Sequence, residues 1–314
     1  MSSRTVCVTG GAGFIGSHVA EALLAAGHRV LIVDDLSSGR KENVPADAEF
    51  HELDIRSPEA ARLMRDGAVE VLVHHAAQMD VRRSVADPVH DASVNVVGTL
   101  NLLEAGRRAA LSQVVFASTG GAMYGEQDYF PADESHPAQP LSPYGVAKLS
   151  VEHYLYFYHV EYGLDVVALR YANVYGPRQN PHGEAGVVAI FLDRLLSGRE
   201  AVINGDGLQT RDYVYVADIV AANLAALGRP GFSIYNVGTA RETTVVELYT
   251  HLAAEVGMSR PATHGPAKPG EQRRSCITSE AIARDLGVRV ATPIEEGVRE
   301  TARWFAARAG TARR

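Results

Sequence analysis

A chain of 314 residues can build a large core and suggests one or two domains. With 46% hydrophobic residues, 21% charged residues and a formal net charge of −7, the composition is that of a soluble globular protein. The mildly acidic balance speaks against a nucleic-acid groove or an anionic membrane surface. No apolar run is long enough to span a bilayer, and no secretory leader pattern is read. Two cysteines, Cys7 and Cys276, make neither a disulfide framework nor a metal set, so reduced thiols in a cytoplasmic protein are expected.

The first element is a β-branched run, Thr5, Val6 and Val8, leading into Gly10, Gly11, Gly13 and Gly16. An apolar helical pattern follows over 13–26, through Val19, Leu23 and Leu24. Strand, glycine turn and helix N-terminus in that order present bare backbone N–H groups to a diphosphate, the arrangement of a dinucleotide site. Further strands read at 29–34, 48–54, 69–75 and 113–118, and helices at 58–65 and about 89–108. Continuously apolar strands such as Val71-Leu72-Val73 and Val114-Val115-Phe116 suit a parallel sheet covered on both faces. The alternation predicts an α/β fold with a doubly wound parallel sheet. A long helix follows at 144–162 and a strand at 166–171. After Gly176 the loops are rich in Pro, Gly and Asn. Residues 1–176 are read as a nucleotide-binding lobe and 177–314 as a smaller α/β lobe, with later segments able to return to the first. Residues 306–314 read as a fraying tail.

Asp34 closes the second strand, a little over twenty residues beyond the first glycines. A carboxylate there accepts hydrogen bonds from an adenosine ribose and repels a 2′-phosphate, favouring NAD over NADP. Asp35 beside it leaves the choice between the two open, and a turn aspartate is the bland alternative. Asp54-Ile55, ending the third strand, either flanks an adenine or forms a plain turn. His74-His75 invites a metal reading, but neighbours on a strand face opposite sides, and no metal is expected.

Tyr144 and Lys148 stand at i and i+4 on the long helix, so phenol and ammonium lie side by side. A free tyrosine, with a pKa near 10, is a poor base at neutral pH; a nearby cation makes proton exchange with a hydroxyl feasible. Ser118-Thr119 ends the fifth strand and adds hydroxyl groups at the carboxyl edge of the sheet, where open α/β folds bind ligands.

Four motifs now carry a resemblance: 9–16 (TGGAGFIG), Tyr144-x-x-x-Lys148, 170–177 (RYANVYGP) and 211–216 (RDYVYV). Together they resemble the extended short-chain dehydrogenase/reductases acting on nucleotide sugars, over nearly the whole chain to about Phe305. The resemblance implies a Rossmann domain with tightly held NAD, a smaller UDP-sugar domain and a homodimer through two long helices per subunit. It places Gly10, Gly13, Phe14, Ile15 and Gly16 on the cofactor diphosphate. Asp34, Asp35, Ser37, Ser38, Gly39, Asp54 and Ile55 belong to its cofactor set as well. So do the His75-Ala76-Ala77-Gln78 turn, Asn95, Ala117, Ser118, Tyr144, Lys148 and Tyr171. On the substrate side it implies Asn173 at the sugar diphosphate and Gly186, Val187, Val188, Phe191, Ala201 and Ile203 around the uridine, with Gln209 nearby. Arg211 suits phosphate oxygens as a planar fork donor.

Three departures stand out. Gly120 occupies the position of the family's active-site Ser or Thr, so Thr119, Ser118 or a water takes over; Thr119 is preferred. Lys268-Pro269-Gly270-Glu271 replaces an Arg-x-Gly-Asp pattern, which passes a phosphate contact to Arg273 or Arg274. Ser275 falls where the pocket for the sugar's 2-substituent is gated, and its small side chain leaves room for N-acetylated sugars.

The implied activity is 4-epimerisation of a UDP-hexose through a 4-keto sugar, with Tyr144, Lys148 and Thr119 catalytic and NAD the transient hydride acceptor. A 4,6-dehydratase carries an Asp-Glu pair before Val-Tyr-Gly, and here that stretch is Gly121-Ala122-Met123-Tyr124-Gly125, with neither carboxylate. UDP-glucuronate epimerases or decarboxylases remain alternatives, as does a nucleotide-sensing protein, although that class would have lost Tyr144 or Lys148.

Overall fold

The computed structural model describes residues 3–182, 186–258, 260–267 and 272–311, with side chains up to Ala309. Residues 268–271, with the Lys268-Pro269-Gly270-Glu271 departure, lie outside the described residues. The strands of the first lobe are β1 (Thr5–Thr9), β2 (Arg29–Asp34), β3 (Glu49–Glu52), β4 (Val71–His74), β5 (Gln113–Thr119) and β6 (Asp165–Tyr171). A seventh strand, Phe232–Val237, pairs with β6. The sheet order is Phe232–Val237, β6, β5, β4, β1, β2, β3, with every pair parallel. Strand order reverses between β1 and β4, and the crevice beyond their carboxyl ends is where such sheets take ligands.

The sheet is buried on both faces because successive side chains point opposite ways. Val6, Val8, Ile32 and Val115 pack with Val19 and Leu23 of helix α1 (Phe14–Ala25) and with Ile219 and Ala222. Cys7, Leu72, Val114 and Phe116 face Met64, Leu102, Val151 and Leu155 on the other side. Each fully buried aliphatic side chain of this kind contributes roughly 1.5–3 kcal/mol. A third cluster fills the smaller lobe, where helices Val187–Leu196, Val245–Glu255 and Ile294–Thr311 pack through Val188, Leu192, Leu248, Leu252 and Val298.

Three elements differ from expectation, and a fourth is the return of a later segment to the first lobe that the expectation allows. The helix expected at about 89–108 is three pieces: Pro88–Ala92, a π-helical turn over Ser93–Gly98, and Thr99–Gly106. The widened turn brings Gly98 against Ile55, where a Cβ would stand 2.7 Å from the Ile55 Cδ1. The third strand is shorter than 48–54: Leu53 keeps one last bond, from its N–H to the Asp34 carbonyl, and Asp54 turns away to accept from the Ser57 N–H. The Phe232–Val237 strand follows the glycines at 228 and 231 and returns to the main sheet, with the Val216–Ala226 helix packed on α1. Finally, 306–311 is no tail: the last helix runs to Thr311, held by an ion pair of Arg308 with Glu42 and by Arg308 over the Trp304 ring.

Candidate active site

The glycine turn after β1 is built for close approach. Gly10 has φ +69°, and a Cβ there would stand 2.7 Å from the Ala76 nitrogen, so only glycine lets β1 and the β4 turn meet. A Cβ on Gly16 would overlap the Gly10 carbonyl, so α1 packs directly on the turn. Gly13 caps α1 without a side-chain hydrogen bond, and the first helical turn carries no acidic residue. The N–H groups of Phe14, Ile15 and Gly16 therefore meet no internal carboxylate, and this bare positive helix end fits a diphosphate.

Asp34 is buried at the end of β2. Its carboxylate accepts from the Ala12 N–H at 3.0 Å and the Leu36 N–H at 2.9 Å, joining the glycine turn to the following loop. Burial pushes the Asp34 pKa up, while those two N–H groups and charge repulsion from Asp35 act as lesser influences. Gly39 passes so close that a Cβ would lie 2.6 Å from the Asp34 Oδ1. Asp35 is exposed and ties down Ser37 through its backbone N–H and hydroxyl, and Ser38 is exposed beside them. Asp54 is held by the Arg56 fork, while Ile55 is buried.

At the end of β4 the two histidines separate. Thr99 Oγ1 donates to the Asn95 carbonyl, so His74 Nε2 donates to Thr99 at 2.8 Å and Nδ1 accepts from Thr9 at 2.6 Å. Both nitrogens are occupied, which removes His74 from metal duty. His75 meets the Tyr171 hydroxyl at 3.2 Å and stacks on its ring. Burial, with help from the Lys148 charge, holds both histidines at about 3, hence neutral. The 76–78 turn is clamped by Asn95, which accepts from the Gln78 N–H and donates to the Gln78 carbonyl, each at 2.9 Å. Ala76 N–H donates to Thr9, and Ala77 lies between these two anchors.

The Pro143–Tyr162 helix starts at Ser142, whose hydroxyl accepts from the Gly145 N–H. It places Tyr144 and Lys148 beside the end of β5. Lys148 is 3% exposed and donates to the Ala117 carbonyl at 2.8 Å, with its Nζ 5.9 Å from the centre of the Tyr144 ring. Burial lowers the Lys148 pKa to about 8, and the Asp91 and Glu152 carboxylates oppose it. Tyr144 is half-buried, and burial, reinforced by Asp91, raises its pKa. At Tyr144 desolvation thus outweighs the expected stabilisation of the phenolate by the nearby ammonium.

The two hydroxyls at the end of β5 are not equivalent. Ser118 donates to Glu152 at 2.5 Å, within a buried network in which Arg170 grips both Glu152 oxygens at 3.0 and 2.6 Å. Arg170 also donates to Tyr124, which in turn donates to Asn236. Thr119 instead caps the short Gly120–Met123 helix, accepting from the Ala122 N–H at 3.1 Å and keeping its own proton to donate. Glu152, one helical turn beyond Lys148, and Asp91, one turn before Asn95, are the polar residues that sequence reading passed over. Their i, i+4 spacings were the available signal.

In the smaller lobe, Val188, Phe191, Ala201 and Ile203 are together in the core, with Val187 and Gly186 at the start of their helix. Asn173 is exposed on a short strand that pairs with Tyr213–Tyr215, and its amide oxygen lies 3.7 Å from where a Gly121 Cβ would be. Gln209 is buried and donates to the Asn204 carbonyl. Arg211 is half-buried and donates to the Thr210 carbonyl at 2.7 Å. The structure commits the other two arginines to carboxylates: Arg273 forks onto Asp206 at 2.9 Å for both bonds, and Arg274 onto Glu242 while stacking 3.8 Å over Phe130. Ser275 is buried beside them.

Residues 6–238 match the NAD dependent epimerase/dehydratase family. A UDP-glucose 4-epimerase of Mycolicibacterium smegmatis is 45% identical over 304 residues, covering 95% of this chain and 97% of that protein. A solved UDP-glucose 4-epimerase of Thermotoga maritima, with UDP-glucose, superposes with a TM-score of 0.94 at 44% identity, over 97% of this chain and 99% of that one. That of Thermus thermophilus, in complex with NAD, gives 0.91 at 45% identity, over 96% and 98%. By its glycine turn, its tyrosine–lysine pair and its full-length relatives, this chain belongs to the NAD dependent epimerase/dehydratase family.

Proposed function

We propose that this protein interconverts UDP-glucose and UDP-galactose by redox epimerisation at C4, and that it also takes N-acetylated UDP-hexoses. One observation carries the reading: a tyrosine, a buried lysine and a threonine with a proton to donate meet at the end of β5, across from an uncapped glycine turn. The relatives named above are UDP-glucose 4-epimerases. A dehydratase would need carboxylates at 121 and 122, which here are Gly121 and Ala122.

The bare N-terminus of α1 would hold the NAD diphosphate and Asp34 its adenosine ribose. When bound, NAD supplies the acceptor for the hydride that leaves C4 and later returns to it. Tyr144 Oη takes the 4-hydroxyl proton and gives it back, while Thr119 donates a hydrogen bond to the same oxygen. Lys148 supplies positive charge beside the phenol. Return of hydride to the other face requires the sugar to turn over, so binding strength resides in the UDP. Arg211 and Asn173 serve the diphosphate, the 186–203 segment serves the uridine, and the hexose is held loosely. Residues 1–176 together with 216–237 and 280–290 form the NAD unit, and the cluster built from 187–215, 245–258 and 294–305 forms the substrate unit.

A homodimer completes the reading. Val85, Val89 and Val97 on the 81–106 segment and Val146, Phe157 and Val160 on the packed Pro143–Tyr162 helix form an exposed apolar face, with Val89 79% exposed. A face of this kind suits a second copy of itself. The two unpaired, buried thiols suit a reducing, cytoplasmic setting. The decisive experiment incubates purified protein with UDP-galactose and no added cofactor. Formation of UDP-glucose supports the proposal, and its absence from folded, NAD-loaded protein overturns it.

A further inference from the structure

One buried carboxylate beside the tyrosine–lysine pair has no part in the chemistry described so far. Asp91, on the Pro88–Ala92 helix, is 1% exposed. Its Oδ1 accepts from Gln78 Nε2 at 2.9 Å and from Asn95 Nδ2 at 3.0 Å. Its Oδ2 is buried with no hydrogen-bond partner among the described residues. A carboxylate oxygen left unsatisfied inside a protein costs about 1–3 kcal/mol or more, so retaining one calls for a compensating interaction. The helix carrying Asp91 packs on the Pro143–Tyr162 helix, within electrostatic range of both Tyr144 and Lys148.

We propose that Asp91 is a positioning residue of the active centre, a fixed negative charge clamped by Gln78 and Asn95 that keeps Lys148 charged and balances the site through the reaction. The inference rests on the epimerase reading above. The charge count supports it. With NAD bound, its cationic nicotinamide would add to the lysine ammonium in favouring the phenolate; these give two positives, and the phenolate and Asp91 give two negatives. Moving one hydride to the ring and one proton to the phenolate leaves that total at zero. Without Asp91 the same pocket carries a net positive charge at both stages, in surroundings that penalise charge.

Other charges facing Lys148 are accounted for. Glu152, from the same helix, is neutralised by Arg170 of β6. His74 and His75 of β4 are neutral. Tyr144 lies on the same helix. Near Asp91 itself, Arg83 of the preceding helix is engaged by the His90 ring at 3.1 Å. Asp91 is thus the carboxylate near Lys148 with an oxygen not already committed.

The test uses the lysines, of which the sequence has three: Lys41, Lys148 and Lys268. With lysine labelled at Cε, the titration of Lys148 is followed by NMR in the full-length protein, its signal identified by its loss in Lys148→Met. Asp91→Asn preserves both hydrogen bonds at Oδ1 and removes the charge. We expect the Lys148 midpoint to fall by about one unit in Asp91→Asn and to stay at the wild-type value in Asp91→Glu. The alkaline limb of UDP-galactose turnover should move down by the same amount. An unchanged midpoint in folded Asp91→Asn overturns the proposal. Should that variant not fold, Asp91→Ser replaces it with the same criterion. If neither folds, Asp91 is structural and the proposal fails. The NMR titration does not depend on turnover, so a protein that fails to epimerise sinks the functional reading and leaves the lysine result standing.

Discussion

The side chain of Ile277 fills the space that a Cβ on Gly120 would need, between the Arg170 and Tyr171 carbonyls at 3.2 Å. The missing hydroxyl at 120 is therefore part of the packing. Ile277 is buried in a small cluster with Met123, Tyr124 and Ala132, so its Cδ1 has little room to swing aside. Gly120→Ser should destabilise the fold by about 1–3 kcal/mol, and adding Ile277→Ala should recover part of that. Urea unfolding of the two variants measures both; an unaffected single variant would contradict the packing account.

Thr119 and Ser118 should separate cleanly. Thr119→Ala removes the donor that remains available and should lower turnover roughly 100-fold or more. Ser118→Ala removes a bond to the Glu152–Arg170 ion pair and should cost about 1–2 kcal/mol of stability with much smaller effect on turnover. Equal kinetic losses in both would return Ser118 to the reaction.

Tyr144→Phe should retain bound NAD and lose turnover by about 100- to 10,000-fold, because ring packing survives while the exchangeable proton does not. Nicotinamide content after denaturation and a coupled UDP-glucose assay read the two halves. Residual activity near wild type would remove Tyr144 from its assigned place.

Lys148 gives a prediction in which activity and stability move oppositely. Its folded pKa, about 8, lies below the ordinary lysine value, so the folded state binds this proton less tightly than the unfolded chain. The linked stability is fully present at pH above the ordinary lysine value and is lost as pH falls through about 8. At neutral pH the buried ammonium is a burden, and Lys148→Met should stabilise the fold by about 2 kcal/mol while abolishing turnover. In the wild type, turnover should decline as pH rises through about 8. A melting temperature lowered by Lys148→Met would show that the bond to Ala117 outweighs the cost of burying the charge.

Much of the site was legible because it is local. The glycine spacing after β1, Asp34 at the end of β2, and the i, i+4 pairing of Tyr144 with Lys148 follow from strand and helix periodicity alone. The failures were also physical. The π-helical turn at Ser93–Gly98 depends on Gly98 meeting Ile55, more than forty residues earlier, and no window on the helix shows it. The Phe232–Val237 strand follows glycines that read as loop, and it enters the sheet because β6 offers an open edge.

The sequence by itself determined that a strand–glycine turn–helix unit, a carboxylate at the end of β2 and a phenol–lysine pair exist in this chain, since each is set by neighbours a few positions apart. Only the tertiary structure decided that Ser118 is tied to Glu152 while Thr119 keeps its proton, that Arg273 and Arg274 are committed to carboxylates, and that the helix of Asp91 packs on the helix of Lys148. Those outcomes depend on which distant segments pack together, and packing is settled by the whole core rather than by any short run of residues.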